Sequence, residues 1–172
     1  MEIRDNAPRF SFFTRERDIE YLRAAIRAGE RARAAGNHPF GAVLVDGDGN
    51  ILLEQGNVEV TEHDHTGHAE TALARAASKK YDRDFLWNCS LYTSFEPCAM
   101  CAGAAYWTNI GRIVYGASEH DLLADTGAND DNPTFDLDCR TVLSRGQKAM
   151  VVCGPYPEVA DEARASQAGY WD

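Results

Sequence analysis

The order of apolar segments along the chain constrains the fold more than any other sequence feature. Two short apolar runs, at residues 40–45 and 51–53, flank the sequence DGDGN at residues 46–50. Glycine and Asx residues tolerate the positive φ of a tight turn, so this stretch predicts an antiparallel hairpin. Helical and strand patterns alternate after it, which predicts an α/β fold with a mixed sheet between two layers of helices.

The remaining elements complete a three-layer α/β/α sandwich around a five-stranded sheet. Strands besides the hairpin are predicted at 89–93, 112–116 and 149–153, and helices at 15–35, 68–80, 98–107, 137–145 and 157–168. The chain of 172 residues has the usual size of one domain. We therefore predict a single domain over residues 1–172.

Two segments lack a helix or strand pattern. Residues 1–14 predict an irregular arm that packs Phe10, Phe12 and Phe13 against the rest of the chain. Residues 121–138 contain six Asp residues around one Gly and one Pro, which predicts a long surface loop.

Charge and cysteine content exclude several classes of protein. The chain has 17 Lys and Arg against 27 Asp and Glu, a net charge of −10, so nucleic acid as a partner meets net repulsion. No apolar run approaches the roughly 20 residues of a membrane helix, and no signal peptide pattern is found, which predicts a soluble cytoplasmic protein without a membrane partner. Five unevenly spaced cysteines predict reduced thiols, some of them metal ligands, rather than a disulfide framework.

A pair of cysteines lies at the start of one predicted helix. Cys98 and Cys101 are three residues apart, which places both sulfur atoms on one face of the first turn. The positive end of the helix dipole favours the thiolate, the form that binds metal. Taken alone, the pair is also typical of two small buried residues or of a redox pair.

The sequence His68-Ala69-Glu70 opens another predicted helix and adds a third candidate ligand. If the two helix starts lie side by side, His68, Cys98 and Cys101 supply three ligands of a tetrahedral zinc site and leave one position for water. Glu70 does not share a helix face with His68, so it is a candidate proton acceptor for that water and a poor ligand. The alternative is that Glu70 only complements its helix dipole.

These two motifs resemble the paired signature of the cytidine deaminase-like zinc hydrolases. Within that superfamily, the Glu-Pro-Cys-x-Met-Cys form at residues 96–101 and the pair Tyr106-Trp107 are similar to the guanine, cytosine and tRNA adenosine deaminase branch. The resemblance covers roughly residues 15–120 and includes the stretches 39–42, 93–98, 103–107 and 114–116.

The resemblance implies a cofactor and a chemical role for each motif residue. One Zn²⁺ per chain is expected, bound by His68, Cys98 and Cys101. Glu70 is expected to take a proton from water and to deliver protons to the substrate ring nitrogen and to the departing ammonia. This role requires a raised pKa of Glu70, which burial beside an aromatic base can provide.

The resemblance also implies polar contacts to the substrate. Asn57 lies eleven residues before His68, where guanine deaminases carry an Asn that hydrogen-bonds the substrate ring. A simple turn residue is the alternative for Asn57. Asp130 or Asp131 falls in the loop that carries an acidic substrate contact in guanine deaminases, but the Gly-Phe that precedes the acidic pair there is missing. A solvated acidic loop is the alternative for these two residues.

Apolar candidates for the substrate pocket complete the set. Trp171 lies at the C-terminal end, where resembling enzymes close the pocket with aromatic side chains that a partner subunit sometimes contributes. Phe95 precedes the Cys98 helix and is expected to line the base pocket, with Phe40 and Ala69 as further contacts. Ordinary core packing is the alternative for these residues.

The function expected from this resemblance is hydrolytic deamination of a free nucleobase or related heterocycle of guanine, cytosine or triazine type, with release of ammonia. A tRNA adenosine deaminase is the first alternative, which the net charge disfavours because tRNA binding needs clustered Lys and Arg. A non-catalytic zinc module is the second, and it would need a fourth ligand such as His63 or His65. Relatives are commonly dimers, so a homodimer is expected, with the helices after Cys98 and Tyr115 at its contact.

Overall fold

Five strands form one mixed sheet at the centre of the computed structural model, which describes residues 8–127 and 129–171. The strands are β1 (Gly41–Val45), β2 (Ile51–Gly56), β3 (Ser90–Phe95), β4 (Arg112–Ala117) and β5 (Val151–Cys153). They lie in the order β2-β1-β3-β4-β5. β1 is antiparallel to both of its neighbours, whereas β3, β4 and β5 run parallel. The predicted mixed sheet is confirmed.

Helices cover both faces of this sheet. They are α1 (Arg15–Ala34), α2 (Ala69–Lys80), α3 (Arg83–Leu86), α4 (Ala99–Thr108), α5 (Glu119–Thr126), α6 (Cys139–Ser144) and α7 (Pro157–Ala165). α1 and α7 pack on one face, whereas α2 packs on the other, beside α4, which contacts α6. The three-layer α/β/α sandwich is therefore confirmed. None of the described helices is long and apolar enough to cross a membrane.

Side chains of the central strands alternate between two hydrophobic cores. Leu44 of β1 packs in the core that contains Leu73 of α2, and Val43 packs in the core that contains Leu22 of α1. Every residue of β1, β3 and β4 is buried. Strands buried on both faces are typical of a sheet enclosed between helical layers.

The hairpin turn between β1 and β2 forms as the sequence predicts. The Asp46 carboxylate accepts hydrogen bonds from the main-chain N–H groups of Asp48 and Asn50 at 3.0 and 2.9 Å. Gly49 has a φ of 90°, in the left-handed region that favours glycine.

The prediction of one surface loop over residues 121–138 was wrong for its first part, which belongs to α5. The Ser118 hydroxyl accepts a hydrogen bond from the Asp121 main chain, and the Asp121 carboxylate accepts one from the Ser118 main chain. This reciprocal capping box starts the helix, and Leu122 anchors it by burial. Some of the acidic residues that suggested a loop therefore stabilise a helix N-terminus.

The N-terminal arm packs through two of its three phenylalanines. Phe10 and Phe13 are buried, and Pro8–Phe10 forms a short 3-10 helix. Phe12 is 37% exposed and contacts the Phe13 ring edge to face. Residues 1–7 of the predicted arm lie outside the described residues.

A buried ion pair ties α1 to the sheet. The Arg112 guanidinium donates hydrogen bonds to both carboxylate oxygens of Asp18, at 3.0 and 2.7 Å. The hydroxyls of Tyr92 and Tyr156 donate to the same carboxylate at 2.6 and 2.5 Å. The network therefore joins α1, β3, β4 and the residue before α7, so it fixes one helical layer on the sheet.

We expect Asp18→Ala to lower the free energy of unfolding by about 3–5 kcal/mol, because it leaves the Arg112 charge buried without its carboxylate partner. Urea unfolding measures this change. The matched control is Glu162→Ala, which removes an exposed partner of Arg23 at 2.8 Å and is expected to cost less than about 1 kcal/mol. Equal losses in the two variants would show that the buried network does not hold α1.

Candidate active site

Two helix N-termini meet on one face of the sheet and bring three candidate metal ligands together. His68 immediately precedes α2, Cys98 immediately precedes α4, and Cys101 lies in the first turn of α4. The His68 Nδ1 atom is 3.6 Å from the Sγ atom of Cys98 and 3.6 Å from that of Cys101. The three ligand atoms lie within 4.8 Å of one another.

The geometry and chemistry of this cluster fit zinc. Zn–S bonds of about 2.3 Å and Zn–N bonds of about 2.0–2.1 Å at tetrahedral angles place sulfur and nitrogen about 3.6 Å apart. The hydrogen bond with Cys101, assisted by His68, lowers the pKa of the Cys98 thiol to about 4 against the opposing effect of burial, so the thiolate needed for metal binding is favoured. Among the described residues no fourth His, Cys, Asp or Glu joins the cluster, which includes neither His63 nor His65.

Glu70 lies beside this cluster in the first turn of α2. Its Oε1 atom accepts a hydrogen bond from the Thr93 hydroxyl at 2.9 Å, and its Oε2 atom is 3.6 Å from the Cys101 Sγ atom. Burial raises the pKa of Glu70. A carboxylate that only complemented its helix dipole would not need to be buried next to the ligand atoms.

A second carboxylate, which was not predicted from the sequence, lies on the other side of the His68 ring. The Glu59 Oε2 atom is 3.7 Å from His68 Nε2 and 3.4 Å from His38 Nδ1. It also accepts a hydrogen bond from the Asn57 amide at 2.6 Å. A carboxylate near the far nitrogen of a metal-binding histidine helps to orient the imidazole ring. The polar loop that carries Glu59 has no pattern that marks this contact.

The cleft next to Glu70 is narrow and has one aromatic wall. The Phe40 and Phe95 rings meet edge to face at 5.6 Å between centroids. Glu119, Leu122 and Asn132 line the same cleft, together with His68, Glu70, Glu96 and Cys98. An apolar wall with a few converging polar groups is typical of a small-molecule site.

The predicted polar substrate contacts lie at different depths. Asp131 lines the outer mouth of the cleft, whereas Asp130 is exposed and lines neither the cleft nor its mouth. Asn57 is buried behind the mouth, and its Oδ1 atom accepts a hydrogen bond from the Glu59 main chain at 3.0 Å. Asp131 therefore lies at the entrance of the cleft, whereas the Asn57 amide is hydrogen-bonded to Glu59 within its own loop.

The predicted apolar contacts are also divided. Phe40 and Phe95 line the cleft, whereas Ala69 is buried in the core beneath α2. Trp171 lies one ring further out, 6.1 Å from the Phe40 centroid, and its indole N–H donates to Gln167 at 2.8 Å. The Trp171 ring thus packs against the Phe40 side of the aromatic wall.

Two buried glutamates at the carboxyl ends of neighbouring strands were not predicted. Glu96 follows β3, and its carboxylate accepts hydrogen bonds from the main-chain N–H groups of Glu119 and Cys139 at 3.0 and 2.8 Å. Glu119 begins α5 just after β4. Because β3 and β4 are parallel, their carboxyl ends meet at one edge, and this rule could have identified both residues.

The fold and the site are those of a zinc-dependent hydrolytic deaminase, as the family match and the named relatives show. More particularly, the chain belongs to the family of the cytidine and deoxycytidylate deaminase zinc-binding region, whose profile matches residues 15–117. This match includes both helix starts that form the cluster.

Several proteins of known name are similar to this chain. A probable cytosine deaminase of Schizosaccharomyces pombe is 40% identical over 157 residues, 91% of this chain and 94% of the relative. Guanine deaminase of Bacillus subtilis is 44% identical over 108 residues, 63% of this chain and 68% of the relative. The tRNA-specific adenosine deaminase of Haemophilus influenzae is 41% identical over 105 residues, 61% of each chain.

Solved structures support the same fold. The X-ray structure of Bacillus subtilis guanine deaminase has a TM-score of 0.58 at 33% identity and covers 77% of this chain and 90% of its own. A mutant protein in complex with 8-azaguanine has a TM-score of 0.72 at 26% identity, with coverages of 89% and 84%.

We expect Cys98→Ala to lose its zinc, because two ligands cannot hold the ion in this geometry. Elemental analysis of the purified variant measures the zinc content per chain. The control is Cys89→Ala, which removes a buried thiol outside the cluster and is expected to keep one zinc per chain. A Cys98→Ala protein with one tightly bound zinc would refute the ligand assignment.

Proposed function

We propose that this chain removes the exocyclic amine of a free nucleobase or related heterocycle by hydrolysis and releases ammonia. The observation that carries this proposal is the buried Glu70 carboxyl group, which lies between a three-ligand metal cluster and a cleft with an aromatic wall. The similarity to proteins named cytosine deaminase and guanine deaminase supports it.

The side chains of the site have distinct roles in this reaction. His68, Cys98 and Cys101 would hold the zinc ion, which when bound lowers the pKa of water and makes it a nucleophile at neutral pH. Glu70 takes the two protons of the attacking water molecule in turn and gives the first to the ring nitrogen and the second to the leaving amine. Its raised pKa makes the Glu70 carboxylate a better proton acceptor, and it lets the carboxyl group hold each proton until it is transferred. Thr93 orients the carboxyl group through its hydroxyl.

The aromatic wall favours a flat ring. Phe40 and Phe95 offer apolar contact to a heterocycle, while the polar groups of the cleft are placed to reach its edge. The structurally similar protein solved with 8-azaguanine binds a purine analogue. We propose the same class of ligand, a purine- or pyrimidine-type base, for this chain.

The entrance disfavours tRNA as the substrate. Glu59 and Asp131 both line the mouth of the cleft. Carboxylates at this position repel the phosphates that a tRNA would bring. We therefore propose a small neutral substrate and no nucleic-acid partner, although a tRNA-specific relative shares part of the sequence.

The assembly and location of the protein are part of the proposal. We propose a homodimer, because Trp107 on α4 is 73% exposed and large exposed aromatics are typical of contact surfaces.

The five cysteines all lie within the described residues, and each is a free thiol, which fits a reducing cytoplasm. We also propose one domain over residues 1–172, because β5 and α7 extend the sheet and layer beyond the family match.

An ammonia-release panel tests the function. It contains guanine, cytosine, adenine, their nucleosides, an aminated triazine and a tRNA anticodon stem. We expect release from at least one free base and none from the anticodon stem. Release from the stem alone would indicate a tRNA deaminase, and a zinc-loaded protein inactive on every compound would indicate a non-catalytic module.

We expect Glu70→Gln to lose activity by about 10²–10⁴-fold or more while it keeps one zinc per chain, because the amide cannot carry the proton. Ammonia release and zinc content are measured on the same preparation. Glu62→Gln, which changes an exposed glutamate, is the control and is expected to keep full activity. Unchanged turnover in Glu70→Gln would contradict its role.

A further inference from the structure

The Glu119 side chain is largely buried, and its carboxyl group faces the cleft. The residue is 6% exposed, yet no hydrogen bond or ion pair in the described part of the chain involves its carboxyl oxygens. It lines the cleft that contains Glu70, Phe40 and Phe95. Its oxygen atoms are not among the fully enclosed unpaired polar atoms of the described residues, so they open into the cleft. A carboxyl group that few waters can reach gains from a hydrogen-bonding ligand there.

A role in helix capping does not explain this side chain. Glu119 is the first residue of α5, but its own main-chain N–H donates to Glu96, and Ser118 and Asp121 already form the capping box. The N-terminus of α5 is therefore satisfied without the Glu119 carboxyl group. Carboxylates that only favour a helix dipole are also usually well solvated, whereas this residue is 6% exposed.

We propose that Glu119 determines substrate specificity by binding the lactam edge of the heterocycle, an N–H group next to a carbonyl, through two parallel hydrogen bonds. The inference rests on the proposed deamination, and it narrows the substrate class to aminated rings that carry such an edge. Free cytosine and guanine belong to this class. Melamine and 2-aminopurine lack the edge, and cytidine has lost its ring N–H to the sugar.

The surroundings of Glu119 favour its protonated form, which can make both hydrogen bonds to the lactam. Burial, together with the negative charges of Cys98, Glu70 and Glu96, raises its pKa to about 8, with His68 opposing them. The raised pKa favours the neutral acid, which has one O–H donor and one carbonyl acceptor side by side. This pattern complements an acceptor next to a donor, which is what a lactam presents.

The position of Glu119 also distinguishes it from the acidic loop. Asp131 lines only the outer mouth and is exposed, so water competes for its hydrogen bonds. Glu119 lies at the carboxyl end of β4, next to the strand that leads to Cys98. A contact from this rigid edge selects a substrate more sharply than one from a loop.

Two substitutions test the inference with paired substrates. The ratio of kcat/KM is measured for cytosine against 4-aminopyrimidine and for guanine against 2-aminopurine, where the second member lacks the lactam. We expect the wild type to prefer the lactam by about 10²–10⁴-fold, since the analogue leaves the buried acid unpaired. Glu119→Leu should reduce this preference to within about 10-fold. Glu119→Gln keeps a donor and an acceptor and should retain most of it.

Binding of an unreactive probe separates this inference from the proposed function. 2-Pyridone carries a lactam but no amine, so its affinity relative to pyridine, followed by ligand-observed NMR, needs no turnover. The wild type and Glu119→Gln should prefer 2-pyridone, and Glu119→Leu should not. Asp161→Asn, an exposed charge change on α7, should behave as the wild type.

Each outcome of these experiments supports or contradicts the role of Glu119 in lactam binding. An unchanged preference for the lactam in Glu119→Leu overturns the inference. A Glu119→Gln protein as impaired as Glu119→Leu also overturns it, because that result would show that binding needs a charged carboxylate. An inactive wild type that still prefers 2-pyridone would refute the deaminase proposal and leave this one standing. A thermal unfolding midpoint of Glu119→Leu at or above the wild-type value supports a binding role, whereas a structural role predicts a lower midpoint.

Discussion

The packing of α2 against α4 brings two helix N-termini, and with them two positive dipole ends, to one place on the sheet. His68 and Cys98 occupy these ends, and the hydrogen bonds of Cys98 with Cys101 and His68 favour its thiolate. Glu70 shares the same helix start and is buried by the same contact. If α2 moved relative to α4, the ligands would separate and the proton carrier would lose its environment together with them.

The opposite face of the sheet supplies the rigidity that this arrangement needs. Asp18 and Arg112 fix α1 to β4, and Tyr92 connects the same network to β3. β3 and β4 are also the strands whose carboxyl ends carry the site residues. The structural network therefore lies on the α1 face of β3 and β4, and residues that line the cleft follow the carboxyl ends of the same two strands.

Much of this structure could be predicted from local patterns, because the responsible interactions are local. The hairpin follows from the turn chemistry of Asp46 and Gly49, and the cysteine pair follows from helix periodicity. Glu59 could not be found in this way, because its role depends on contacts with His38 and His68, which are distant in the sequence. Glu119 needed the rule that the carboxyl ends of parallel strands meet at one edge. The start of α5 was missed because a capping box and an acidic loop have similar composition.

The Glu96 carboxylate holds the first residues of both α5 and α6. The Glu96 side chain thus ties the starts of both helices to the end of β3, the strand that leads to Cys98. Neither hydrogen bond involves residues 129–137, which lie between the two helices. Substitutions among these residues are therefore expected to leave the positions of both helix starts unchanged.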